Sequence, residues 1–501
     1  MKPTAKKLTS VHHSRLANVA AGCVIVGGTL LAWGSQYYVD YEVSLLPWLI
    51  EKGWVLYRDI ADQHTPLFTA LLVPFGAGDT SIPLQMVVVG LHFLTLLLVY
   101  LVTIRMAGAV AGLGAVILAE LWTVAMEGTH LWYDGVLGLV YMAMLLLLVN
   151  KRSPLANKAP RLGTAIIAGL LLGIGILIKQ HATAALPFIA LLWWAGGYAG
   201  WRSHLGLFAA GLSAPLAIFS LVFAAQGALG EAWYWTVVYN ITGNYMQAAA
   251  MLPAYSEWPV LVALFIPLAL WALTWRIHKA RDNWLAMALF GLVLAASLPA
   301  VPRYARFHFQ ALVPLAAVLG AVAAACLYES AKSFMPWRKV ASQLGLGLFG
   351  LYMLVGLAQW IEGLSFNFRP GAVVAPYATS IEPLRAWVDA NTPPRSPVFI
   401  YGLDSMLYRV LEREPTRPFS PQLPWVLDAD NTEERWWFGF MQAHPAVVLV
   451  PAQAWDANST GSREMQLRGQ YREGMRFNIL NYPGARPIEV VGLLQSNDPQ
   501  R

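Results

Sequence analysis

The chain has 501 residues, of which 57% are hydrophobic and only 12% charged, with a formal net charge of +6. A water-soluble domain carries about a quarter charged residues, so this balance excludes a chain solvated by water along its whole length. The positive charge does not point to nucleic acid, because the basic residues are scattered over short loops and form no stripe interleaved with aromatics.

Residues 1–15 form a basic tail (Lys2, Lys6, Lys7, Arg15) ahead of a first apolar run at 16–35. No small-residue cleavage site follows that run, which passes into Ser35, Gln36 and Tyr37, so it reads as a retained signal anchor. Ten more runs approach the ~20 apolar residues a membrane helix needs. They lie at 82–104, 107–126, 134–150, 162–179, 183–200, 204–225, 258–275, 283–300, 308–327 and 340–361. The sequence therefore predicts an α-helical polytopic membrane protein of about 11 transmembrane helices, with a membrane module over 16–361. In the loop at 36–81, segments 42–53 and Leu67–Gly76 are apolar but too short to cross, and both read as interfacial helices. Cys23 and Cys326 fall inside apolar runs, which argues against a disulfide framework.

With the N-terminus in the cytoplasm, the tail and alternate connections hold 16 basic residues. The opposite side has 5: Lys52, Arg58, Lys179, Arg303 and Arg306. Such a bias marks the cytoplasmic face, and an odd number of spans then puts everything beyond 361 outside a bacterial cytoplasmic membrane. Segment 362–501 is rich in Arg, Asp, Glu and Pro and has no spanning run. Helical spacing at 381–391, 404–412 and 432–442, with buried-strand runs at 397–401 and 446–450, predicts a periplasmic or extracellular α/β domain. It contains no glycine-rich phosphate loop. Asn240-Ile241-Thr242 and Asn458-Ser459-Thr460 match the glycosylation sequon, a triplet common by chance.

The expected outer loops crowd charge against the membrane. Asp40 and Glu42 follow the first run, Tyr57-Arg58-Asp59 comes later in the same loop, and the next outer connection is Glu127-Gly128-Thr129-His130-Leu131-Trp132-Tyr133-Asp134. Glu120, inside the third run, stands two turns before Glu127 and on the same helical face, and an ionisable residue within a span is a functional candidate. Lys179 closes the fifth run, and Arg303 and Arg306 stand three apart, the spacing of one helical face, just before the tenth. His130, His181 and His308 show no His-x-x-x-His spacing, so no metal site is read from them. Carboxylates beside cations suit transfer of a sugar from a lipid phosphate. The acceptor hydroxyl needs a base for its proton, and the departing phosphate gains charge that fixed Lys and Arg groups stabilise.

The order of these features carries a resemblance. It comprises the acidic pair after the first span, the Gly-x-x-x-Tyr-Arg-Asp stretch from Gly53 to Asp59, and Pro66 leading into an apolar helix. Lys179 after a glycine-rich span and the run Arg303-Tyr304-Ala305-Arg306-Phe307-His308 complete it. Together they resemble the C-type glycosyltransferase superfamily, nearest its bacterial relatives of protein O-mannosyltransferases and aminoarabinose transferases. The resemblance implies inverting transfer of a hexosyl or pentosyl unit from a polyprenyl-phosphate-linked donor to a hydroxyl of a glycan, lipid or protein at the outer face. It implies Asp40 as the base, with Glu42 as the alternative, since Tyr41 separates the two and on a helix they diverge by about 200°. Lys179, Arg303 and Arg306 would hold the donor phosphate, while Asp59, Glu127, His130, Trp132, Asp134 and His308 would line the sugar or acceptor pocket. No cofactor is required by this reading, although acidic loops can bind a divalent cation and some members of the superfamily use one. Two other classes compete: a lipid or sugar transporter or flippase, whose sites sit at mid-membrane on broken helices within repeats, and a noncatalytic membrane scaffold.

Overall fold

The computed structural model describes residues 4–35, 41–76, 81–128, 130–149, 162–195, 200–242, 251–278, 284–298, 303–332, 335–367, 380–421, 426, 432–457, 462–480 and 486–496. The chain divides into two compact units, one of Met1–Gln36, Gln85–Ser220 and Met251–Ala372, the other of Tyr37–Leu84, Leu221–Ala250 and Val373–Arg501.

The first unit is helical, and each of the eleven apolar runs contains a helix. Among the described residues six segments are long and apolar enough to cross a membrane. These are Ser14–Gly34, Leu84–Ala107, Trp201–Ala225, Tyr255–Ile277, Leu312–Ala331 and Pro336–Ser365. Ala109–Ala125, Tyr133–Leu148 and Leu162–Ile178 are apolar but shorter. Breaks in the backbone account for part of this: Gly108, with φ of 87°, parts Ser81–Ala107 from Ala109–Ala125. Leu30, Leu221, Leu344 and Leu354 on these segments are 65–70% exposed, which suits lipid and not water. The chain is an integral membrane protein.

Leu312–Ala331 is the central helix, with 78% of its most apolar stretch buried against 17% for Pro336–Ser365. Its alanines and Gly320 leave room for neighbours on every side. Gly169 and Gly173 of helix Leu162–Ile178 let it approach Trp201–Ala225 closely, since a Cβ at either would run into the carbonyl oxygen of Phe208 or Leu212. This contact fixes the helix that ends at Lys179.

In the second unit, strands β1 (Phe399–Ile400), β2 (Val447–Pro451), β3 (Tyr471–Ile479) and β4 (Ile488–Gln495) form one sheet in the order β1-β2-β4-β3. β1 and β2 pair parallel, and the other neighbours antiparallel. Both faces of β2 are covered, which is why it reads as an unbroken apolar run. Phe399, Val448, Val450, Val491 and Leu493 pack with Trp436, Trp437 and Phe440 of helix Thr432–Ala443. Trp387 of helix Glu382–Asn391 lies against Gly474 and Gly492, where any Cβ would collide with its indole. The expected strands at 397–401 and 446–450 thus appear as β1 and β2. The short helices Tyr41–Glu51, Leu67–Gly76 and Met406–Val410 match three more expected segments. β3 and β4 were not foreseen, because Gly474, Gly492 and a bulge between Glu473 and Met475 break the alternation that marks a strand.

Candidate active site

Three elements of the first unit converge on one buried carboxylate. Trp132, in extended conformation, starts helix Tyr133–Leu148 and places Asp134 in its first turn, where the positive end of the helix favours an acid. Lys179 is the extended residue between helix Leu162–Ile178 and the 3-10 turn Gln180–Ala185. His308 lies in the 3-10 turn Arg306–Phe309, ahead of Leu312–Ala331. Nζ of Lys179 stands 2.5 Å from Oδ2 of Asp134 and 3.2 Å from Nδ1 of His308, which is itself 3.3 Å from Oδ2. Asp134 is 0% exposed and Lys179 3%, so each charge depends on the other for the solvation it has lost. Burial, then the charge of Lys179, pushes the His308 imidazole down from its ordinary 6.5 to about 4, against the pull of Asp134. His308 is therefore neutral at neutral pH. It either accepts from Lys179 at Nδ1 or donates from Nδ1 to Asp134.

The neighbouring cations are arranged differently from the shared helical face expected of them. Arg303 is in extended backbone bridged to Met251, and the chain turns only at Arg306. Arg306 meets Glu257 through two parallel bonds, Nε to Oε2 and Nη2 to Oε1, each 2.9 Å long. The Tyr304 hydroxyl donates to the same carboxylate at 2.7 Å. Burial and that bond raise the Tyr304 phenol, which stays a donor. The charge of Arg303 reaches His308 and helps lower it. Glu257 and Tyr304 were not singled out in the sequence. Glu257 opens an apolar run, the same signal that marked Asp134, and that signal could have found it.

Glu120 and Glu127 do not share a helical face. Helix Ala109–Ala125 ends at a C-cap on Met126, and Glu127 takes the left-handed conformation with φ of 54°. The amide of Gly128 then bonds the carbonyl of Thr123, and that of Glu127 the carbonyl of Val124, the paired closure that stops a helix. This turn delivers His130 and Trp132. Gln310 ties it down by donating to the carbonyls of Glu127 and His130 at 2.7 and 3.1 Å. Phe307 packs against both rings, with centroids 5.6 Å from His130 and 4.8 Å from Trp132. Trp132 thus stands beside His308, 6.4 Å between ring centroids, and on one wall of a cleft that also holds His130 and Gln310. Glu120 instead meets His92, a second ionisable residue within a span that the sequence reading passed over.

Asp59 belongs to the second unit. Its carboxylate receives Nε and Nη2 of Arg58 at 3.1 Å each, the Val55 amide at 2.9 Å, and Arg417 at 3.5 Å. Partial burial raises its pKa, but the bonds from Arg58 and Val55 and the charges of Arg58 and Arg417 outweigh it and hold the carboxyl below its ordinary value. Backbone bonds from Phe419 to Asp59 and from Ala61 to Phe419 stitch this loop to the C-terminal segment. Nδ2 of Asn240 is taken up by the carbonyls of Gln63, Trp235 and Thr236, so the first sequon is internally bonded. The second sequon, 458–460, and Asp40 lie outside the described residues, as does the side chain of Glu42, whose backbone is in helix Tyr41–Glu51. Among the described residues no three His, Cys, Asp or Glu side chains gather as metal ligands.

No family model and no curated protein matches the sequence. Solved structures match nearly all of it. ArnT from Cupriavidus metallidurans bound to undecaprenyl phosphate superposes with a TM-score of 0.58 at 15% identity, over 93% of this chain and 97% of that one. The Archaeoglobus fulgidus oligosaccharyltransferase tethered with an acceptor peptide gives 0.54 at 13% identity, over 95% of this chain and 76% of that one. The chain has the C-type glycosyltransferase fold. The archaeal oligosaccharyltransferase AglB from Archaeoglobus fulgidus, in complex with an inhibitory peptide and a dolichol-phosphate, matches at 0.52 and 14%, over the same shares of the two chains. The C-type fold is thus shared at identities where side chains have largely diverged, and the roles of individual residues rest on their own geometry.

Proposed function

We propose that the chain is a membrane glycosyltransferase that moves a sugar from a polyprenyl-phosphate-linked donor to a hydroxyl of a glycan, lipid or protein acceptor. The observation that carries this reading is segment 303–309, which brings His308 to the buried pair of Lys179 and Asp134 and Arg306 to Glu257, with the charge of Arg303 reaching His308, all within one compact unit. Undecaprenyl phosphate and dolichol-phosphate in the structures of similar fold support it.

In this mechanism the donor's lipid tail lies among the spanning helices and its phosphate is held by Arg303 and Arg306. Lys179, fixed by Asp134, adds a positive charge that needs no reorganisation when the bond breaks. The acceptor oxygen attacks the anomeric carbon from the face opposite the phosphate and inverts it. The sugar–oxygen bond to phosphate breaks, the electron pair stays on the lipid phosphate, and the acceptor proton passes to a carboxylate. Asp40 is that base, with Glu42 as the alternative. Trp132, His130 and Glu127 border the sugar or acceptor, and Asp59 supports the acceptor side. The N-terminus is cytoplasmic and the sheet-bearing segment outside, at the bacterial cytoplasmic membrane. The reaction requires no cofactor, with a divalent cation held by the acidic loops as the alternative; a chelator leaves the rate unchanged in the first case and lowers it in the second.

The test is transfer by the purified chain in detergent, from a polyprenyl-phosphate sugar, without sealed vesicles. A transporter, which needs two compartments, gives no product there. Asp40→Asn should lower the rate about 10²–10⁴-fold, the range for loss of a general base. Full activity in both Asp40→Asn and Glu42→Gln would remove the assigned base.

A further inference from the structure

We propose that the cleft beside Trp132 binds an uncharged, hydroxyl-bearing lipid, and that His92 with Glu120 behind it holds the hydroxyl. The cleft is an open groove, and the roughly 500 Å³ it spans includes open solvent. Leu91 and His92 line it from Ser81–Ala107, and Val313 from Leu312–Ala331, so two walls belong to helices long and apolar enough to cross a membrane. His130, Trp132 and Gln310 form its polar end. Among the described residues that line it there is no Lys, Arg, Asp or Glu. An anionic headgroup would therefore be buried without a counter-charge, whereas a neutral one meets hydrogen-bonding groups.

His92 and Glu120 are each 6% exposed, and Nε2 of His92 lies 2.8 Å from Oε2 of Glu120. A Cβ at Gly28 would collide with the carboxylate, so the backbone of helix Thr4–Gly34 closes off its far side. With the proton on Nε2, shared with Glu120, Nδ1 is left as an acceptor on a ring that lines the cleft. Oε1 of Glu120 is buried without a hydrogen-bond partner among the described residues, a cost in an apolar interior that a pair built only to tie helices would avoid. Identifying this lipid as the acceptor rests on the transferase reading, but its binding does not.

The test uses the full chain in detergent micelles and a diazirine-bearing dioleoylglycerol, with cross-linked peptides mapped after illumination. Labelling should fall on 88–95 and 130–135. Unlabelled dioleoylglycerol should compete about tenfold better than dioleoylphosphatidic acid, and His92→Ala should cut labelling about tenfold. Leu91→Trp fills the cleft while sparing the pair, and should abolish labelling at an unchanged melting temperature. It decides the matter if His92→Ala fails to fold. Labelling spread over the lipid-facing helices, equal competition by the anionic lipid, or labelling untouched by Leu91→Trp overturns the site. Labelling that behaves as expected in a chain without transfer activity would leave the site standing and remove only the transferase reading.

Discussion

Asp134 and Asp59 are each held by cations, in opposite surroundings. The side chain of Asp134 is 0% exposed and that of Lys179 only 4%. Asp59 is 13% exposed, while its partners Arg58 and Arg417 are 44% and 49% exposed. In the first pair both ions have given up their hydration, so either one left alone is stranded in a medium that solvates it poorly. Around the second, water screens the attraction and solvates whichever partner remains. The same ion-pair chemistry therefore builds a rigid, charge-balanced pair in one place and a replaceable surface contact in the other.

The largest expected effect follows from stranding a charge. Asp134→Asn should lower stability by about 3–5 kcal/mol, the cost of breaking a buried pair from one side, measured by denaturant unfolding in detergent. The double variant Lys179→Met, Asp134→Leu should recover most of that loss while transfer stays absent, separating the fold from the function. The contrast between the two sites breaks if Asp134→Asn costs no more than Asp59→Asn.

A smaller effect belongs to His308. Its folded value of about 4 lies below the ordinary 6.5, so as pH falls from 6.5 the unfolded chain takes up a proton that the folded chain refuses. Stability should decline across that window. His308→Gln should flatten the decline between about pH 6.5 and 4.5 in melting curves, and a slope that persists would place the titrating group elsewhere.

Smallest is Asp59→Asn, at about 1 kcal/mol or less, as for other water-screened pairs. Its carboxyl is held below the ordinary value. The contribution is therefore complete above about pH 4 and disappears as pH falls through the folded value. Melting temperatures of wild type and variant should converge at acid pH. A difference that grows there would contradict the assignment.

Much of the helical framework was legible because a membrane leaves long apolar runs as its signature, and each run did fold into a helix. β1 and β2 were legible for a related reason, burial on both faces. Glu127 shows where reading stopped. A run of apolar residues implied a helix continuing to it, but an i to i+5 amide bond at Gly128 ended the helix two residues earlier. Arg303 and Arg306 show the same limit, since spacing of three implies a shared face only if the backbone is helical, and at Arg303 it is extended.

By itself the sequence determined the solvent of this protein, the approximate positions of its helices and the kinds of charge placed at their ends. Those follow from composition and period, which are properties of neighbours along the chain. Which charge answers which was decided only in three dimensions. Lys179 lies 45 residues from Asp134, Arg306 49 from Glu257, and Glu120 28 from His92. Burial, which sets the strength of each pair, comes from helices packing across those gaps.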